Sequence, residues 1–125
     1  MKDYKKYYSI PATPEEIYLA LTNPLTVHLW TGEEAVMSEV PDSEFSLWDG
    51  SITGKNIAFE PGKKIVQQWY FGDQPEPSIV TIKLHADGAS TSVELRHTNI
   101  PDEAFEDIVE GWNETYFASL REFYD

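Results

Sequence analysis

No cysteine occurs among the 125 residues, which excludes disulfides, thiolate nucleophiles and thiolate metal sites. Basic residues are scarce: 9 lysines and arginines stand against 22 aspartates and glutamates, a formal charge of −13. A surface of that sign repels phosphate, so neither nucleic acid nor anionic membrane is an expected partner. Long apolar runs are missing as well. The longest uncharged stretch, Ile17 to Gly32, is too short for a bilayer and is split by Asn23-Pro24. Met1 to Lys6 is charged and leads into Tyr-Tyr-Ser-Ile-Pro, so no secretory leader is expected and the chain reads as cytoplasmic. There is no Gly-Lys-Ser/Thr and no Gly-x-Ser-x-Gly elbow. The histidines, His28, His85 and His97, lack metal spacing, and neither metal nor cofactor is expected.

Aromatic residues are plentiful at 14%, with Trp30, Trp48, Trp69 and Trp112 distributed along most of the chain. That distribution suits one globular core, and the length suits one domain over residues 1–125. The clearest element is the stretch Asp102 to Tyr124. Phe105, Ile108, Val109, Trp112, Tyr116, Phe117, Leu120 and Phe123 recur at steps of three and four, the signature of one helical face, while acidic residues fill the other.

Tyr4 to Ile10 reads as a first strand ending at Pro11. Thr13-Pro14-Glu15-Glu16 has the form of a capping box, starting a helix that Asn23-Pro24 stops, and Leu25 to Leu29 forms a second short helix. Strands then follow over Ala35–Val40, Glu44–Trp48, Ser51–Phe59, Lys64–Phe71, Ser78–Ala86 and Thr91–Thr98. Asp49-Gly50, Pro61-Gly62 and Asp87-Gly88 mark turns, and Gly72 to Pro77 is a Pro-rich loop. Alternation puts Ile65, Gln67, Trp69 and Phe71 on one side, with Val80, Ile82, Leu84, Val93, Leu95 and His97 aligned in later strands. Thr81, Lys83, Glu94 and Arg96 take the opposite side. The expected class is α+β: a helix-grip fold, with a curved antiparallel sheet around a long C-terminal helix and two short helices after strand one.

That order resembles the START and Bet v 1-like superfamily. The run Phe45-Ser46-Leu47-Trp48-Asp49-Gly50-Ser51-Ile52-Thr53-Gly54, then Pro61, Ile65-Val66 and Trp69-Tyr70-Phe71, narrows the likeness. With Val80 to Leu84, Asn99-Ile100-Pro101, Glu110-Gly111-Trp112 and Tyr116-Phe117, it resembles the C-terminal domain of Aha1, the activator of the Hsp90 ATPase. The resemblance implies the helix-grip fold and a non-enzymatic, co-chaperone-like role beside an Hsp90-type chaperone. The family's separate N-terminal domain and its short motif are not expected in this chain. Other superfamily members carry lipids, bind hormones or catalyse cyclisation, so a carrier or sensor of a small apolar ligand is the alternative, and a cavity enzyme the third.

Trp30, Phe45, Trp69, Phe71, Leu84, Leu95, His97, Trp112 and Tyr116 are expected to converge between helix and sheet. Such a set either lines an apolar pocket or simply fills a core. His97 is either the polar group of that cavity or a satisfied core histidine. His85 shares its face with Lys83 and should be solvated. The carboxylate pairs Glu33-Glu34, Asp102-Glu103, Glu106-Asp107 and Glu110-Glu114 fall on polar faces or in loops, where nothing would raise a pKa for acid–base work. Gly111 costs helix propensity, about 1 kcal/mol against Ala. It signals either close packing or a bend that would widen a cavity.

Overall fold

Two side-chain caps set the helical insertion that follows the first strand. The structure is a computed structural model that describes residues 1–72 and 74–125. After β1 (Lys2–Ile10), Thr13 Oγ1 accepts from the Glu16 amide at 3.2 Å, and Glu16 Oε1 accepts from the Thr13 amide at 3.1 Å. This capping box, with Pro14 in the first turn, starts α1 (Pro14–Thr22) as the sequence predicts. Asn23 then caps α2 (Pro24–Thr31), its Oδ1 accepting from the Thr26 amide at 3.1 Å. The Trp30 indole donates to the Ala20 carbonyl at 2.7 Å, which pins α2 against α1.

The remaining strands are β2 (Glu44–Leu47), β3 (Ile52–Glu60), β4 (Lys64–Trp69), β5 (Ser78–Asp87) and β6 (Ser90–Ile100). They form one antiparallel sheet in the order β1-β6-β5-β4-β3-β2. Alternation assigns the faces correctly: Val80, Ile82, Leu84, Val93, Leu95 and His97 point inward and are buried. Pairing of β1 with β6 brings the first strand beside the last, with Tyr8 against Asn113 and Phe117 of the closing helix. No helix among the described residues is long and apolar enough to cross a membrane.

Two sequence expectations need correction. Ala35 to Val40 is not a strand. It touches the sheet at one bridge, Val36 with Ser46, and Val36 and Val40 are exposed. What holds it is Asn56, whose buried side chain donates to the Ser38 carbonyl at 3.3 Å and to Ser43 Oγ at 3.2 Å. The Pro-rich loop at Gly72 to Pro77 contains residue 73 and so lies partly outside the described residues.

The second correction concerns the last helix, which runs from Asp102 to Tyr124 as expected but not as one regular α-helix. A 3-10 turn (Asp102–Ala104) leads into α3 (Phe105–Gly111), a π-helical turn (Trp112–Tyr116) and α4 (Phe117–Tyr124). A π turn adds one residue, which retards the helical phase by about 100°. The apolar stripe therefore continues through Phe117, Leu120 and Tyr124, and Phe123 is left 40% exposed. Tyr124 takes the inward place, its hydroxyl donating to the Glu16 carbonyl at 3.0 Å.

Candidate functional site

The interior is built from aromatic rings, and the indole N–H groups of Trp30, Trp69 and Trp112 are bonded within the protein. Trp69 stacks on Trp112 with centroids 4.6 Å apart, and Trp112 meets Tyr116 at 4.6 Å and Phe117 at 5.5 Å. The Trp69 indole donates to Gln67 Oε1 at 3.1 Å, and Gln67 Nε2 donates to Asn56 Oδ1 at 3.0 Å. That chain continues through Asn56 to the loop before β2. Among the described residues, no buried side-chain nitrogen or oxygen lacks a partner.

His97 resolves as a core histidine. The Trp112 indole N–H reaches His97 Nδ1 at 3.0 Å, and an indole can only donate, so Nδ1 is the accepting nitrogen. The ring proton therefore sits on Nε2, 2.8 Å from Ser78 Oγ, which in turn donates to the Thr98 carbonyl at 3.1 Å. Burial holds the imidazole neutral, with its pKa lowered to about 3. Neither ring nitrogen is free to take part in proton transfer. His85 is exposed, as expected, and pairs with Glu94 at 3.0 Å.

A cleft of about 360 Å³ opens beside this core, between the β2–β3 turn, the end of β4 and the final helix. Trp48, Trp69, Trp112, Tyr116, Ile52 and Ile108 form its apolar walls, with Ser51, Asp107 and Thr115 exposed beside them. Of the residues expected from sequence, Trp69, Trp112 and Tyr116 line it. Trp30 backs it, 5.5 Å from Trp48 and 5.1 Å from Tyr116. Phe45, Leu84, Leu95 and His97 belong to the core behind, and half-buried Phe71 packs 6.0 Å from the His97 ring.

Three local irregularities meet at this cleft. Trp48 has φ +49°, a left-handed backbone that a bulky side chain adopts only at a cost on the order of 1–3 kcal/mol. The π turn presents Trp112 and Tyr116 from the helix, a feature that recurs at functional sites. Gly111 precedes it, and a Cβ there would meet nothing within 4 Å. Close packing does not explain this glycine; its place on the cleft wall, at the start of the π turn, fits the bend. Tyr116 is buried and its hydroxyl pKa is pushed up by desolvation. Trp48 and the polar rim escaped the sequence reading because Glu44–Trp48 reads as one strand, whereas the strand ends at Leu47 and Trp48 opens the turn. A tryptophan immediately before Asp-Gly was the available signal.

Charge is segregated. Lys5, Lys55, Lys64, Lys83 and Arg96 occupy outward positions of the sheet with Glu44, Glu60 and Glu94. The helical side carries most of the remaining acids, including Glu103, Glu106, Asp107, Glu110 and Glu114. Among the described residues, no cluster of three or more potential metal ligands occurs.

Comparison with known proteins places this geometry. Residues 11–125 match the family described as Activator of Hsp90 ATPase homolog 1-like protein. An activator of 90 kDa heat shock protein ATPase homolog from Dictyostelium discoideum is 31% identical over 123 residues, covering 96% of this chain and 32% of that protein. The chain spans about a third of the length of the curated relatives it matches. An HSP90 activator from Plasmodium falciparum superposes with a TM-score of 0.87 at 24% identity, over 96% of this chain and 94% of the other. The Aha1 dimer from Colwellia psychrerythraea gives 0.82 at 22% identity, over 99% and 96%. These likenesses bear out the helix-grip architecture.

Proposed function

This chain belongs to the Activator of Hsp90 ATPase homolog 1-like family, and from that premise we propose that it is a non-enzymatic binding domain serving an Hsp90-class ATPase. The supporting observation is the extent of the match, which takes in the helical insertion, the sheet from the end of β1 onward and the C-terminal helix. Binding rather than catalysis accords with the interior, where His97 is committed at both nitrogens. The test is a two-dimensional amide NMR titration with the Hsp90-class chaperone of the same cell, run beside an ATPase assay. Shifts confined to one surface patch, with a rise in ATPase rate, are expected. A flat titration with no change in rate refutes the proposal.

A second reading rests on a separate observation, the convergence of the strained Trp48 and the π turn on one apolar cleft. In this reading the domain holds a small ligand there, gripped by Trp48, Trp69, Trp112 and Tyr116. At about 360 Å³ the cleft lies at the small end of ligand sites. His97 would shape the wall from behind through Trp112 without touching the ligand.

A further inference from the structure

We propose that the cleft selects a small organic cation, an alkylated ammonium with a short apolar body; this rests on the ligand reading above and gives it a chemical class. Three indoles and a phenol line the cleft; Trp69 and Trp112 lie face to face 4.6 Å apart, so half-buried Trp48 is the indole most open to a guest, and tryptophan is the strongest partner for a cation among the aromatics. Asp107 is the one ionisable acid or base among the described lining residues besides the tyrosine, and it sits exposed beside the opening. No lysine or arginine lines the cleft among those residues.

The surrounding field has the same sign. Glu103, Glu106 and Glu110 are exposed on the same helical segment as Asp107. The N-terminal ammonium pairs with Asp102 at 2.7 Å, and two lysines touch this helical side from β1, at the opposite edge of the sheet from the β2–β3 turn. There Lys2 lies 5.0 Å over the Phe105 ring, and Lys6 bonds Asn113 at 2.7 Å. An anion would meet both the ring faces and Asp107 as repulsion. A neutral guest would gain only burial. A methylated ammonium gains burial, ring attraction and the carboxylate together.

Trp48 makes the assignment more specific. Its half-buried indole meets Tyr116 at 5.8 Å and Trp30 edge-on at 5.5 Å, on a backbone held in the left-handed region. Strain of this kind persists where the surroundings over-determine it, and ligand clamps are one such place. Here the contacts with Trp30 and Tyr116 hold the indole at the wall against that strain.

The test compares three guests that share a tert-butyl-shaped head: choline, its neutral carbon isostere tert-butylethanol, and tert-butylacetic acid as the carboxylate. Each is titrated into the labelled whole chain while the indole N–H signals of Trp48, Trp69 and Trp112 are followed. Choline is expected to move these signals and to bind about tenfold tighter than the isostere, with no response to the carboxylate. Asp107→Asn, an exposed change, should weaken choline about threefold and leave the isostere unaltered. Trp48→Leu should erase the preference, and unchanged dispersion of the other amides shows that the variant folds. Equal binding of choline and the isostere overturns the cation class while leaving the ligand reading standing. Silence of the indoles toward all three overturns both. A trimethyllysine peptide run in parallel identifies the source of the cation: tighter binding than choline makes it a protein side chain, weaker binding a free small molecule.

Discussion

Replacing His97 by Asn should remove a component of acid sensitivity that the wild-type fold cannot avoid. In the folded chain the imidazole is neutral, with a pKa near 3, because burial disfavours the cation and both nitrogens are already bonded. In the unfolded chain it titrates near 6.5. Stability from this group is therefore complete above pH 6.5 and drains away as the pH falls toward 3, since only the unfolded state gains the proton. Between pH 7 and pH 5 the linkage amounts to about 2 kcal/mol, and it depends little on the folded value so long as that stays below about 4. At an ordinary urea sensitivity this is a midpoint shift of about 1 M.

Asn is the informative substitute because its Oδ1 can stand where Nδ1 stood and still accept from Trp112. Ser78 keeps its own bond to the Thr98 carbonyl. We expect His97→Asn to cost about 1–3 kcal/mol at pH 7 through lost volume and one lost hydrogen bond. That deficit should shrink by about 2 kcal/mol at pH 5. His28, His85 and every carboxylate are common to both proteins and cancel in the difference. The assay is urea unfolding followed by tryptophan fluorescence, at half-unit pH steps. Parallel stability curves for the two proteins would refute the assignment of His97 as a neutral, doubly bonded core residue.

Gly54→Ala should destabilise by at least about 2 kcal/mol in thermal or urea melts, because the added methyl would lie 2.8 Å from the Phe45 ring and closer still to the Gln68 carbonyl. Gly111→Ala should do the opposite, raising stability by up to about 1 kcal/mol, since nothing lies within 4 Å and alanine favours the helix; a loss would mean the π turn requires glycine. Trp69→Ala should cost about 3–5 kcal/mol, since it empties the stack on Trp112 and strands Gln67 Oε1; a near-neutral melt would contradict its place in the core. Glu110→Gln, on the exposed helical side, should leave the unfolding free energy within about 0.5 kcal/mol of wild type, and a larger loss would mean that this side is covered.

Periodicity carried most of the fold because period-two and period-3.6 patterns follow directly from which faces are buried. Ile82, Leu84, Val93 and Leu95 had to share a face once their strands were placed, and the Thr13 capping box named its own helix start. The pattern failed where backbone and side chains bond by other rules. Val36 and Val40 look like strand residues, yet the buried Asn56 side chain holds that segment as a loop, and a single asparagine leaves no periodic trace. The π turn left only Gly111 as a sign, so Phe123 was placed inward where Tyr124 belongs. The cleft was half legible. Trp69, Trp112 and Tyr116 follow from the same periodicity, while Trp48 depends on a left-handed backbone that hydropathy cannot encode.

The polar partners of the indoles explain why one wall of the cleft is fixed and the other adjustable. Trp69, Trp112 and Trp30 each donate their N–H inside the protein, to Gln67, His97 and the Ala20 carbonyl. Moving any of them would leave a buried donor or acceptor unpaired, at a cost of about 1–3 kcal/mol each. The Trp48 indole has no such anchor among the described residues; ring contacts with Trp30 and Tyr116 hold the side chain, while the Ser51 amide donating to the Trp48 carbonyl at 3.2 Å closes the left-handed turn. Backbone strain of that kind is worth about as much as one of those hydrogen bonds, so relaxing it offsets much of what the ring contacts supply. Rearrangement of the cleft on binding should therefore be confined to the Trp48 turn, with Trp69 and Trp112 keeping their places. An indole signal for Trp48 that broadens in the free chain and sharpens with a guest, beside constant Trp69 and Trp112 signals, is the expected NMR result. Equal broadening of all three would mean that the hydrogen bonds to Gln67 and His97 do not lock the inner wall.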